Sequence, residues 1–354
     1  MTAGTQRKLD PNQPSLLSKL LVQQFSRKVI GQDKATQTLV DILENHRAGF
    51  LDKTRPIGNA LFLGPTGTGK THVVEAFAES LFGTKRACIR IDCAEFQHSH
   101  EIAKLLGSPP GYLGHRETHP ALTQEALDQF HTSDLKFSVL LFDEIEKASD
   151  ALWSLLLGIL DKATLTLGDN RKVDFSNTII IMTSNLGARE MSKKDIGFGG
   201  MDEEQDQVRL EQIALSAAKS KFTPEFMNRL QHVVMFQTLT EKQIEQILDI
   251  ELGELDMRLL SANINRFVGT DHRIFEVSVS PSAKRRLVAE GYNKEYGARH
   301  LKRSIDKLIQ RPLAKLFNSG QILNGDAVVV DESGKDDFDF YVHNRTVVIP
   351  EENL

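Results

Sequence analysis

Cysteine is nearly absent. The 354 residues carry only Cys88 and Cys93, at neither a zinc-type nor a CxxC spacing. That leaves no disulfide framework and fits a reduced, cytoplasmic setting. No apolar run approaches the length of a membrane span, and Met1 to Pro14 is polar rather than signal-like, so neither membrane nor secretory signal is expected. An excess of basic charge is missing too. The 43 Lys and Arg against 48 Asp and Glu leave a formal net charge of −5, so no overall field favours nucleic acid or an anionic membrane. There is no internal repeat. His98-Ser99-His100-Glu101 invites a metal, but no further ligands are spaced to match. What remains is ordinary for a soluble globular chain, 40% hydrophobic and 26% charged, with length for two domains and a large core.

Against this background one stretch stands out, Asn59-Ala-Leu-Phe-Leu-Gly-Pro-Thr-Gly-Thr-Gly-Lys-Thr71. An apolar run (Ala60 to Leu63) reads as a buried strand, and Val73 to Ala78 as a helix. The turn between them, Gly64, Pro65, Thr66, Gly67, Thr68, Gly69, Lys70 and Thr71, has the spacing of a P-loop. Glycines let backbone N–H groups converge on one oxyanion, and the helix adds its positive end at the same point. Lys70 is placed to neutralise β- and γ-phosphates, and Thr71 to hold Mg²⁺. The stretch implies that the chain binds a nucleoside triphosphate.

Taken in order, Leu16 to Phe25 and Asp33 to Glu44 have helical periodicity. Ala87 to Asp92, Phe137 to Phe142 and Thr178 to Thr183 read as buried strands, with helices at Glu101 to Leu106, Ala121 to Phe130 and Ala151 to Leu160. Trp153 and its leucines read as core. Strands apolar on both faces and alternating with helices imply an α/β fold, a parallel sheet covered on both sides. A smaller α+β part follows from near Thr238. It has helices at Thr240 to Leu260, Pro281 to Glu290 and Leu301 to Leu316, and strands at Phe275 to Val279, Ala327 to Val330 and Thr346 to Ile349. The expected organisation is an N-terminal lead and helix (1–26), a large ATPase domain (27–237) and a small C-terminal lid domain (238–354).

Asp143-Glu144 closes the strand that starts at Phe137, at the end where open α/β sheets place their ligands. Alone it could be a solvated acidic pair. Beside a P-loop, Asp143 reads as the Mg²⁺ ligand and Glu144 as the group that polarises the attacking water. Asn185, after Thr183-Ser184, can orient that water from the other side, the sensor-1 role; the alternative is a turn asparagine. In Gly111-Tyr112-Leu113-Gly114, prolines before and glycines around would push Tyr112 out of a loop, where it offers a sequence-tolerant grip on extended polypeptide. It could instead fold back on its own loop. Gly168 to Lys172 is a second loop that could act beside it.

Together and in this order, Val29-Ile30-Gly31-Gln32, the P-loop, Gly111 to Gly114, Phe142 to Ala148, Met182 to Asn185, Pro224 to Arg229 and Gly297-Ala298-Arg299 resemble the second ATPase module of the Clp unfoldases ClpA, ClpB and ClpC, in the AAA+ class. The resemblance runs from about Arg27 to Ile349. It implies a P-loop AAA+ sheet with a smaller lid, ATP and Mg²⁺ as cofactors, and a homo-hexameric ring that threads protein substrates through its pore. By the same resemblance Val29 and Ile30 frame the adenine, Arg229 is the arginine finger and Arg299 the sensor-2 arginine. Ile196-Gly197-Phe198 resembles the loop by which ClpA-type unfoldases plug pockets on a ClpP-like peptidase. Ile196 and Phe198 could instead tuck onto their own domain.

The sequence departs from the larger members in carrying no N-terminal receiving domain, no first ATPase module and no coiled-coil insertion. It also has His115 to His119 where an acidic, glycine-rich stretch is usual. The expected activity is an ATP-driven unfoldase working as a single-tier ring. The alternative is a free-standing disaggregase or remodelling chaperone without a peptidase. A DNA-associated AAA+ loader is disfavoured by Tyr112 and the acid charge balance, and a non-hydrolysing nucleotide scaffold by Glu144, Asn185 and Arg229.

Overall fold

The computed structural model describes residues 10, 13–50, 52–108, 120–188, 203–266, 275–292, 297–323, 325–334 and 337–343. The expected strand Thr346 to Ile349 lies outside them. The chain divides into two compact units. The first comprises Met1–Phe62, Thr71–Ser184 and Lys219–Met235; the second comprises Leu63–Lys70, Asn185–Ala218 and Phe236–Leu354.

In chain order the elements are α1 (Leu16–Ser26), α2 (Asp33–Ala48), β1 (Gly58–Leu63), α3 (Lys70–Phe82), β2 (Cys88–Asp92), α4 (Ala103–Leu106), α5 (Gln124–Asp128), β3 (Ser138–Asp143), α6 (Asp150–Lys162), β4 (Thr164–Thr166), β5 (Lys172–Asp174) and β6 (Thr178–Ser184). Then come α7 (Glu203–Lys221), α8 (Pro224–Arg229), β7 (His232–Met235), α9 (Glu241–Arg266), β8 (Phe275–Val279), α10 (Pro281–Gly291), α11 (Arg299–Ile305), α12 (Arg311–Asn318), β9 (Asp326–Glu332) and β10 (Phe338–His343).

Five strands form the main sheet in the order β2-β3-β6-β1-β7. The parallel registers Asp92↔Asp143 and Phe142↔Met182 bring the carboxyl ends of β2, β3 and β6 to one edge. Every residue of β1, β3 and β6 is buried. This is what continuous apolar runs produce when helices cover both faces. Strand β2 is buried only at Cys88 and Ile91, as suits a sheet edge. Full burial of side chains such as Phe62 and Phe142 is worth roughly 1.5–3 kcal/mol each, so the strands that end at the site are held from behind. The fold is the α/β arrangement the sequence implied. The two thiols are buried in it, and burial pushes Cys88 up to about 12 and raises Cys93 as well.

An aromatic cluster fixes the short helix α8. Trp153 lies with its ring centroid 5.2 Å from Phe222 and 6.4 Å from Phe226, and its Nε1 donates to the Ile145 carbonyl at 3.2 Å. Thr223 caps α8 by accepting from the Phe226 N–H, and Pro224 starts it. Gly168 to Lys172, read above as a second loop, is the tip of the β4–β5 hairpin. Arg171 is paired with Asp169 there, at 2.8 Å.

In the second unit, strands β10-β9-β8 form a small sheet. Its core gathers Leu248, Leu287, Leu301, Ile309 and Val330. The helix expected over Leu301 to Leu316 is interrupted by a π turn, Asp306–Gln310. No helix among the described residues is long and apolar enough to cross a membrane.

Candidate functional site

One group of residues grows from the turn after β1. Gly64 has φ +148°, and a Cβ there would stand 2.6 Å from the Phe236 carbonyl oxygen, so only glycine fits. The Thr68 hydroxyl braces the turn by donating to Pro65 O at 2.9 Å. Lys70, the first residue of α3, is 8% exposed and folds back under the turn. Its Nζ donates to Gly64 O, Pro65 O and Asn185 Oδ1, each at 2.8 Å. Lys70 and Asn185, singled out independently in the sequence, are thus direct partners. Three neutral oxygens hold the buried ammonium in place. Against the same turn, the Ala298 N–H donates to Gly67 O at 3.2 Å, and a Cβ on Gly297 would come within 2.6 Å of that oxygen. Arg299 opens α11 with an exposed side chain.

A second group centres on Asp143, at the end of β3 and 6% exposed. The Thr71 hydroxyl donates to its two oxygens at 3.1 and 3.2 Å. The Thr183 hydroxyl donates to Oδ1, and Arg90 Nη2 sits 2.6 Å from Oδ2. Next to it, Glu144 adopts a left-handed backbone (φ 57°, ψ 50°), which costs a residue with a side chain about 1–2 kcal/mol. Its N–H donates to Thr183 Oγ1 at 3.1 Å, and its carboxylate accepts from Lys147 Nζ. That hydrogen bond is the largest cause holding the Lys147 ammonium above its ordinary range.

Val29 is buried and Ile30 half-buried, on a segment tied to α3. Lys28 pairs with Glu79 at 2.6 Å, and His72 Nε2 donates to the Lys28 carbonyl at 3.0 Å. Arg229 closes α8 with other partners. Its Nε donates to Asp161 at the end of α6, and its carbonyl accepts from Asn59 Nδ2 at 3.1 Å. Tyr112 with Gly111 to Gly114, and Ile196, Gly197 and Phe198, lie outside the described residues.

Taken separately, the turn group fits a polyphosphate and the Asp143 group fits a divalent cation. A buried lysine underlies a glycine turn. A hydroxyl and a carboxylate of the type Mg²⁺ takes are already within hydrogen-bond distance of each other. The sequence reading passed over four participants: Arg90, Lys147, Asp161 and Thr183. Thr183 had a readable signal, since a hydroxyl inside a buried apolar strand must find a partner.

A family model described as AAA domain (Cdc48 subfamily) matches residues 55–233. A second, for the C-terminal, D2-small domain of ClpB protein, matches residues 239–330. The chain belongs to the AAA+ Clp family. Its AAA domain sets this Clp-family chain among the ATPases. It is 41% identical over 310 residues to the ATP-dependent Clp protease ATP-binding subunit ClpC of Staphylococcus aureus (strain USA300), covering 87% of this chain and 36% of that protein. ClpC of Staphylococcus epidermidis is 39% identical over 317 residues, covering 89% and 37%. The Clp-family chain therefore spans little more than a third of these curated relatives. A closed-state cryoEM reconstruction of Hsp104 with ATPγS and FITC casein matches it with a TM-score of 0.74 at 31% identity, over 94% of this chain and 53% of that one.

Proposed function

We propose that this chain is an ATP-driven protein unfoldase and translocase. It works in the cytoplasm as a homo-hexameric ring that threads polypeptide through a central pore and feeds a ClpP-like peptidase. The observation that carries the reading is the pairing of Lys70 with Asn185 and of Thr71 with Asp143, in a chain of the Clp family. In this reading the large domain spans 27–237 and the lid 238–354, with 1–26 ahead of them.

Lys70 and the turn Gly64 to Gly69 bind the β- and γ-phosphates, while Val29 and Ile30 flank the adenine. Thr71 and Asp143 hold Mg²⁺, which when bound supplies positive charge to the phosphates. Glu144 accepts the proton of the attacking water, and Asn185 orients it. Arg229 stabilises the transition state in a neighbouring subunit, and Arg299 responds to nucleotide from the lid.

Tyr112 grips substrate. Tyr112→Ala is expected to keep ATPase activity within a few-fold while losing unfolding of a tagged model protein. Unfolding at the wild-type rate would remove the pore grip from the reading. Ile196-Gly197-Phe198 would dock the peptidase, six weak contacts acting together. Phe198→Ala is expected to leave ATPase activity intact and abolish co-sedimentation with a ClpP-like peptidase from the same source. If wild-type protein binds no such peptidase, a free-standing remodelling chaperone replaces the peptidase feeder.

A further inference from the structure

Thr183 sits between the two acidic residues and touches both. Strands β3 and β6 run in parallel register as far as Phe142↔Met182. One residue later β3 ends, because Glu144 turns into the left-handed region and leaves the ladder. Its N–H would then lack a strand partner. The Thr183 side chain takes that place, accepting the Glu144 N–H at 3.1 Å, while the same hydroxyl donates to Asp143 Oδ1. A hydroxyl is the smallest group that accepts and donates at once, and β-branching restricts where Thr183 can point it. Thr183 is 1% exposed, so water does not compete for either bond. The remaining carboxylate oxygen of Asp143 is held by Arg90 at 2.6 Å and by Thr71.

The geometry points to Thr183 as a positioning residue: one hydroxyl fixes both the direction of the Asp143 carboxylate and the turn that presents Glu144. This rests on the proposed function, in which Asp143 holds Mg²⁺ and Glu144 serves the water. It adds that metal affinity and turnover share a single support on β6.

The test uses the full chain with Thr183→Val, which keeps the shape and loses both bonds, and Thr183→Ser, which keeps the hydroxyl. Three quantities are measured: the Mg²⁺ concentration that half-saturates the metal-dependent binding of a fluorescent ATP analogue, kcat, and the melting temperature. The valine variant should need about tenfold more Mg²⁺ and lose at least about tenfold in kcat. Its analogue binding without metal should stay unchanged, and serine should return both quantities to within about threefold of wild type. Valine with both quantities within twofold of wild type overturns the inference. So does serine as impaired as valine, since the methyl would then be what matters. Should valine fail to fold, serine decides by itself: within threefold supports the role of the hydroxyl, and a tenfold loss overturns it. If wild-type protein binds no analogue with Mg²⁺ present, the nucleotide reading falls, which is distinguishable from an unaffected Thr183→Val.

Discussion

Glu144→Gln should slow ATP hydrolysis by about 10²–10⁴ while nucleotide affinity stays within a few-fold, the range by which a positioned general base contributes. The substitution keeps volume and hydrogen-bonding length but leaves an amide that cannot take a proton. The local frame should survive it. The bond to Thr183 comes from the Glu144 backbone, and the left-handed turn constrains glutamine no more than glutamate. Lys147 keeps an oxygen acceptor, though it loses the charge of its partner. Steady-state phosphate release and equilibrium binding of a fluorescent ATP analogue check the two halves separately. Wild-type turnover in the variant would falsify the role given to Glu144. An intact, slow variant would also serve as a substrate trap for pull-down in ATP.

A larger loss is expected at Arg229. If it acts as a finger on the neighbouring subunit, Arg229→Ala should lower kcat by about 10³–10⁵ while each subunit still binds nucleotide. The ion pair with Asp161 complicates a simple alanine test, because removing the guanidinium strands a carboxylate. Both side chains are about one-third exposed, so the stability at stake is about 1 kcal/mol or less. Arg229→Lys separates the effects. A lysine can still face Asp161, but it lacks the planar fork, so melting temperature should recover and turnover should not. Mixing Arg229→Ala with Lys70→Ala subunits should restore part of the activity, since some interfaces then join an intact finger to an intact lysine. Mixed assemblies as inactive as either parent would remove the support for action in trans.

Much of this was legible in the chain because it is written in local terms. A glycine turn between an apolar strand and a helix can be read in one window, and so can Asp143-Glu144 after Val-Leu-Leu-Phe. The central strands were readable because their burial on both faces leaves continuous apolar runs. What escaped depends on residues far apart in sequence. Arg90 reaches Asp143 only because β2 and β3 lie in the register Asp92↔Asp143, and Asp161 meets Arg229 across 68 residues. The hairpin of β4 and β5 has three residues in each strand, too few for a period of two to show, so the loop at its tip was read and its strands were not. The π turn at Asp306–Gln310 did leave a mark that the reading missed: Pro312 follows just after it, and a proline there cannot donate to the helical ladder.

The left-handed backbone of Glu144 has an evolutionary consequence. Glycine takes that conformation at no steric cost, and asparagine at little. Glycine at position 144 would relieve roughly 1–2 kcal/mol of backbone strain, offset in part by its greater freedom in the unfolded chain. That exchange would remove the carboxylate and its bond to Lys147, so backbone strain here is the cost of having an acid at this turn. This is the kind of position at which a thermally improved variant and a working one part company.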